Sequence, residues 1–342
     1  LITWEPFDFG LRQANVAVGD AGVKRAEAAS RRTRFEVAAL AADAYLTLAA
    51  ADEMERAAQA GVDRAVVLEK VVAAVVKAGL RPGADLSRTR AELALAETQV
   101  AQARQAVAMA RASLSQLVGV PASDIAIVPG KMLETPAAAT PGGDVAQHPR
   151  AVEQQAAIDE VKARERALDR SWRPRFSLQG AAFGRGTGAH TDGASGAEYS
   201  GLGPNTGNWA IGFSVFFPLF DFASLRVKRD VESHNERAEA ARLDLVIREL
   251  GGQRDRAAAQ LEGARQIARN VPVQLQAARD AEQQATARYK AGLGAAVEVA
   301  DAQRLLTQSE IDDALAKLNV WRAMLSAAVA SGNLDDFLDR TQ

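Results

Sequence analysis

The sequence predicts a mainly helical protein: long coiled-coil hairpins joined to a few β-strands of the membrane-barrel type, in a plan written twice. Three observations carry that prediction. Long tracts are rich in alanine and laced with charge, a composition that suits helices packed at close range. The aromatic residues are concentrated, with ten of eighteen between Trp172 and Phe222 and three more between Trp4 and Phe9. The third is an internal repeat at an offset of 213 residues. KAGLRPGADLSR at 77–88 matches KAGLGAAVEVAD at 290–301, Phe7-Asp8-Phe9 matches Phe220-Asp221-Phe222, and Gly119 matches Gly332 without a gap.

Each copy reads as an aromatic strand, a long helical tract, a KAGL break and a shorter helical tract ending in glycine. Residues 1–9 are the end of a strand, and Asp8 and Asp221 are candidate N-caps where a strand passes into a helix. Residues 10–119 form the first hairpin, with its tip near 79–85. Gly79 and Gly292 supply the backbone freedom of a tight reversal. Leu80 and Leu293 beside them are either exposed or buried within the hairpins. Residues 120–149, VPASDIAIVPGKMLETPAAATPGGDVAQHP, are rich in Pro and Gly and must leave the helix. Residues 150–171 return to helix for roughly 33 Å.

Residues 172–222 form a β-hairpin. In NWAIGFSVFFPLF, Trp209, Ile211, Phe213, Val215, Phe217 and Leu219 alternate with Asn208, Ala210, Gly212, Ser214 and Phe216. Large apolar side chains face one way and small or polar ones the other, over about ten residues with aromatics at both ends, as in an outer-membrane barrel strand. RPRFSLQGAAFG from Arg173 is the weaker partner, with Phe176, Leu178, Gly180 and Ala182 in alternation. The Gly-rich segment 184–207 between them is an outer loop. Residues 223–332 form the second hairpin, tip near 292–298, and 333–342 a C-terminal segment. Its first arm is on the order of 100 Å long by helical rise, and its second roughly 50 Å. Pro272 is expected to kink the first arm. Leu275, Ala278, Glu282, Ala285 and Tyr289 follow the 3-4-3-4 spacing of a coiled-coil seam.

The formal net charge of −2 gives no electrostatic support to nucleic-acid binding. No run approaches the 18 or so apolar residues of a membrane-spanning helix. With no cysteine, disulfides, thiolate metal sites and cysteine nucleophiles are excluded. His148, His190 and His234 are far apart in sequence, and no catalytic or metal-ligand spacing points to an enzyme. GRGTG at 184–188 reads as flexible loop. No cofactor is expected.

In this order and repeated, the motifs resemble the TolC-like outer-membrane factor family, the exit ducts of bacterial efflux pumps and type I secretion systems. The resemblance rests on WAIGFSVFFPLFDF, on YKAGLGAAVEVADAQRLL from Tyr289, on HPRAVEQQAAIDEVKARERALDRSWRPRFSL from His148, and on the doubled plan. It implies a homotrimer in the outer membrane of a Gram-negative bacterium, in contact with its lipid. Four strands per subunit would close the barrel, and the helices would continue it as a periplasmic tunnel with an equatorial waist at 120–149 and 333–342. The KAGL breaks would be periplasmic tips where an adaptor protein docks, linking the duct to an inner-membrane transporter. Gly79, Leu80, Gly292 and Leu293 would be the docking tips; Trp4, Phe7, Phe9, Trp209, Phe217, Phe220 and Phe222 would anchor the membrane interface. On this pattern three of four strands are present, and a first strand and half-helix are expected before LITWEPFDFG.

At the aperture the resemblance points to Glu298 and Asp301. The first break offers Asp85 at the place of Glu298, but Arg88 at the place of Asp301, with Arg81 and Arg90 nearby. One expectation is that Arg81, Arg88 or Arg90 pairs with Glu298 or Asp301 across neighbouring hairpins and holds the tip shut; the other is that all are solvated helix-end charges. The rival to a passive channel is a soluble coiled-coil scaffold whose aromatic hairpin binds a protein.

Overall fold

The computed structural model describes residues 1–128, 130–136, 144–188, 194, 201–204 and 206–341. In chain order the elements are β1 (Ile2–Phe7), α1 (Leu11–Lys77), α2 (Gly83–Val118), α3 (Pro149–Ser171), β2 (Arg175–Arg185), β3 (Thr206–Phe216), α4 (Phe222–Lys290), α5 (Ala296–Ser331) and α6 (Asp335–Thr341). Short 3-10 turns at Ala122–Asp124, Gly130–Leu133 and Val145–Gln147 punctuate the segment between α2 and α3. Helices α2 and α5 are each 36 residues long. The chain divides into two compact units, residues 1–30 with 152–245, and residues 31–151 with 246–342.

The first unit is built on an antiparallel sheet in the order β1-β2-β3. Phe176 pairs with Val215, Leu178 with Phe213 and Ala182 with Trp209, while Trp4 pairs with Leu178 and Phe7 with Phe176. Strand alternation therefore gathers most of the large apolar side chains of all three strands on one face, Phe183 and Phe216 falling on the other. A register shift between Trp4 and Phe7 marks a bulge in β1. The sheet corrects the sequence reading at three places. The strands reach Arg185 and begin at Thr206, so their connection is shorter than 184–207 at both ends. Phe217 and Leu219 lie outside β3, because Pro218 has no N–H to donate to a ladder; Leu219–Asp221 is a 3-10 turn instead.

The two Phe-Asp-Phe junctions also differ. Asp8 caps α1, its Oδ1 accepting from the Gly10 N–H at 3.0 Å and its Oδ2 from the Arg12 N–H at 2.7 Å. Phe9 at φ 51 and Gly10 at φ 87 make the sharp turn. Asp221 ends its 3-10 turn, and its backbone carbonyl accepts from the Ser224 hydroxyl at 2.9 Å. Among the described residues its carboxylate caps nothing. The parts of α1, α3 and α4 in this unit are tied by ion pairs, Arg25–Glu160 at 2.9 Å and Arg229–Asp169 at 2.9 Å among them. Each is partly exposed and worth at most about 1 kcal/mol.

In the second unit the alanine-rich tracts bury mostly small side chains, and the larger ones are concentrated where α1, α4, α5 and α6 meet the irregular segment. Leu46, Leu261, Val320, Trp321, Met324 and Phe337 form that core. The irregular segment is fastened to it by polar bonds: the Trp321 indole N–H donates to the Glu134 carbonyl at 3.0 Å, and the Tyr45 hydroxyl to the Val128 carbonyl at 2.9 Å. Both carbonyls belong to exposed residues, so these bonds hold an exposed segment against the core. Helix α4 continues through Pro272. Leu275, Ala278 and Tyr289 are buried along the predicted seam, and Ala285 packs against the cluster that holds Tyr289. No helix among the described residues is long and apolar enough to cross a membrane.

Candidate functional site: paired helix breaks and an aromatic sheet face

Both helix breaks are built alike. Helix α1 ends in a Schellman motif: Gly79 takes φ 72 and donates to the Val76 carbonyl at 2.9 Å, while the Leu80 N–H reaches the Val75 carbonyl at 3.2 Å. Helix α4 repeats this with Gly292 at φ 76, bonded to the Tyr289 carbonyl at 3.0 Å, and Leu293 bonded to the Arg288 carbonyl at 2.9 Å. The cap turns each leucine outward, and Leu80 and Leu293 are 75% and 74% exposed. Extended residues Pro82 and Ala295 then start α2 and α5 with no side-chain cap. Asp85 and Glu298 occupy the first turns, where negative charge complements the helix dipole.

Below the breaks the two hairpins share a small core. Val72 and Leu68 of α1 pack with Tyr289 of α4 and with Ala296, Val299 and Ala300 of α5. Arg81 ties the breaks together within one chain: its Nη2 donates to the Gly294 carbonyl at 2.8 Å, and its guanidinium lies 5.9 Å from the Tyr289 ring centroid. Burial pushes the Tyr289 phenol up from its ordinary pKa, and the Arg81 cation opposes this in part. The Tyr289 hydroxyl has no hydrogen-bond partner among the described residues.

The remaining charges are distributed otherwise than expected within the chain. Arg90 pairs with Glu69 on α1 at 3.1 Å, Glu298 lies 3.9 Å from Arg288, and Asp301 pairs with Arg304 one turn on. Arg304 also reaches Glu92 of α2 at 3.7 Å. Arg88 is exposed and has no partner among the described residues. Sequence reasoning missed Tyr289, Arg304 and Glu92 as tip residues. The signals were present: Tyr289 stands directly before KAGL, and Arg304 lies three residues beyond Asp301, one helical turn away.

On the sheet, most of the apolar face is solvent-exposed, with Phe176 half-buried. Trp209 is 77% exposed, and Ile211, Phe213, Trp4, Ile2 and Phe7 are likewise open. The opposite face is mostly small or polar, with the Ser177 and Ser214 hydroxyls bonded across it at 2.6 Å, but it also carries Phe183 and Phe216 near its two ends. At the sheet-to-helix boundary Phe9, Phe217 and Phe222 are exposed and Phe220 is 100% exposed. A contiguous apolar patch of this kind marks a surface that contacts something other than water. His234 is exposed on α4, and His190 lies outside the described residues, as does most of the connection between β2 and β3.

A sheet with one exposed apolar face, carried on long helices that reverse at glycine breaks, defines the class of outer-membrane channel proteins. The sequence profile of the outer membrane efflux protein family matches residues 2–120 and 145–333, and the chain belongs to that family. No curated protein matches it in sequence. Among solved structures it is similar to the CmeC outer membrane channel of Campylobacter jejuni, with a TM-score of 0.79 and 14% identity over 99% of this chain and 73% of that one. It is also similar to the outer membrane protein VceC of Vibrio cholerae, with a TM-score of 0.77 and 17% identity over 97% and 78%. For the open-state MtrE outer membrane channel of Neisseria gonorrhoeae the TM-score is 0.77 and the identity 20%, over 97% and 74%.

Proposed function

We propose that the chain is the outer-membrane exit duct of a tripartite efflux pump or type I secretion system, a passive homotrimeric channel gated at its periplasmic tips. The observation that carries this reading is the continuous apolar face across β1, β2 and β3, backed by a face that is mostly small or polar. In water that face would be left exposed, whereas in a bilayer it is solvated by lipid. No strand lies beside the outer edge of β1 or β3 among the described residues. Since open sheet edges do not persist in hydrocarbon, the barrel is closed by strands of other copies. The polar face then lines the lumen, and Trp4, Phe7, Phe9, Trp209, Phe217, Phe220 and Phe222 sit in or beside the interface.

The chain is read as a tandem duplication in which α1 and α2 correspond to α4 and α5. Supporting this, the ends of α1 and α4, both ends of α2 and α5, and the left-handed glycines that follow them all stand 213 residues apart. At the tips, exposed Leu80 and Leu293 on their glycine caps are the docking points for a periplasmic adaptor, which hands cargo from an inner-membrane transporter. For gating, Arg88 is the arginine best placed to reach Glu298 or Asp301 of a neighbouring copy, because Arg81 and Arg90 are already engaged within their own chain.

The test uses the full-length protein. Detergent-purified material should be trimeric and should form discrete conductance steps in planar bilayers. A chain that is monomeric and soluble without detergent would establish the coiled-coil scaffold instead. If Arg88→Ala and Asp301→Ala both leave closed-state conductance unchanged, the tip-pairing element is wrong while the channel reading stands.

A further inference from the structure

We propose that His148 is a proton-operated N-cap, which ties the start of α3 to the end of α5 and releases it on acidification. His148 follows the 3-10 turn Val145–Gln147 and directly precedes α3. Only 3% of its surface is exposed. Its ring makes two bonds of opposite sense: Nδ1 accepts from the Arg150 N–H at 3.1 Å, and Nε2 reaches the Val329 carbonyl at 3.1 Å. A carbonyl can only accept, so Nε2 carries the hydrogen and Nδ1 is bare. This is the neutral imidazole, and its bare nitrogen does the work that a Ser or Asp oxygen does at an ordinary helix start.

The surroundings hold the ring in that state. Phe35 of α1 meets it edge-on at 5.6 Å, and there is no slack on the far side. A Cβ at Gly332 would stand 3.0 Å from both Cα and Cδ2 of His148. Burial depresses the His148 pKa; the bond to the Val329 carbonyl and the charge of Glu36 oppose that, and Arg150 reinforces it. Glu36 on α1 is itself paired with Arg32 at 2.6 Å, and Arg150 with Glu249 on α4 at 3.3 Å. Both carboxylates, Glu36 and Glu249, thus have arginine partners other than His148.

Protonation at Nδ1 sets an N–H against the Arg150 N–H. It removes the capping acceptor and places a positive charge at the positive end of the α3 dipole. The folded state holds fewer protons than the unfolded chain, in which His148 titrates near its ordinary value of about 6.5. Its contribution to stability is therefore complete above that pH and is lost as pH falls below it.

Hydrogen–deuterium exchange on the full chain reads this locally. Between pH 8 and pH 5, after correction for intrinsic exchange, wild-type peptides covering the first turn of α3 should exchange roughly five- to tenfold faster, the worth of a lost cap. His148→Asn keeps a side-chain acceptor that does not titrate, and the same peptides should then show no pH step. Unchanged wild-type protection at pH 5, which needs no variant, or an equal step in His148→Asn, overturns the proposal. Neither outcome bears on whether the protein conducts.

Discussion

Gly119 and Gly332 close α2 and α5 in the same left-handed conformation, at φ 75 and φ 79, and so form a matched pair for substitution. An alanine at either position must adopt a backbone that disfavours a Cβ, at a cost of about 1–2 kcal/mol. The surroundings then diverge. At Gly119 an added Cβ meets nothing within 4 Å. At Gly332 it stands 3.0 Å from His148 Cα and 3.2 Å from Pro149 Cδ, and the backbone of a residue leading into a proline is poorly placed to yield. Forcing a methyl into packed surroundings adds about 1–3 kcal/mol. Gly119→Ala should therefore cost about 1–2 kcal/mol and Gly332→Ala about 2–5 kcal/mol, the sum of the two effects. Urea denaturation followed by far-ultraviolet circular dichroism measures both. Equal losses, or a greater loss at Gly119, would refute the assignment of the extra cost to the His148–Pro149 contact.

Asp8→Ala should lower stability by about 1 kcal/mol at pH 7 through loss of the α1 cap. The backbone bond from Arg12 chiefly holds the Asp8 carboxyl below its ordinary 3.8, so the stabilisation is present above that value and fades as pH falls below it; thermal melts of wild type and variant should converge near pH 2. Ile211→Arg, on the apolar face, should impair refolding into lipid vesicles by about 2–4 kcal/mol, whereas Ala210→Arg on the opposite face should cost far less; equal effects would contradict the face assignment. Arg81→Ala removes the Gly294 bond and the Tyr289 contact, and should raise the frequency of open events in single-channel recordings; unaltered opening would show that this intrachain strap does not hold the tips.

The features legible in the sequence are those set by local backbone chemistry. Gly79, Gly292, Gly119 and Gly332 are left-handed helix ends because glycine there avoids a Cβ clash, and spacing alone located them. The two faces of β3 follow from alternation, and the buried seam of α4 from 3-4 spacing. What could not be read depends on which elements face each other. Asp8 and Asp221 occupy identical motifs, yet only the first reaches unpaired N–H groups, because Pro218 inserts a 3-10 turn before the second. Asp301 pairs along its own helix with Arg304, a choice between a local and a distant arginine that residue spacing does not decide. His148 looked inert as an isolated histidine before a proline, and its role depends on a carbonyl 181 residues away.

The differences between the two helix breaks are informative because the backbones agree closely there. Pro82 and Ala295 share an extended conformation, and Asp85 and Glu298 share a first helical turn. Departures at such sites are side-chain choices that the backbone did not require. Arg81 stands where the second half has Gly294, and its guanidinium bonds that glycine's own carbonyl. Residue 81 is thus bonded to the residue 213 positions on, at the equivalent place in the second break. Any side chain in place of Gly294 would bring a Cβ within 3.3 Å of the Tyr289 nitrogen and 3.4 Å of the Glu298 carboxylate. Glycine avoids those close approaches, and with no side chain it cannot return a bond to residue 81. Such asymmetry makes the two helix breaks unequal within one chain.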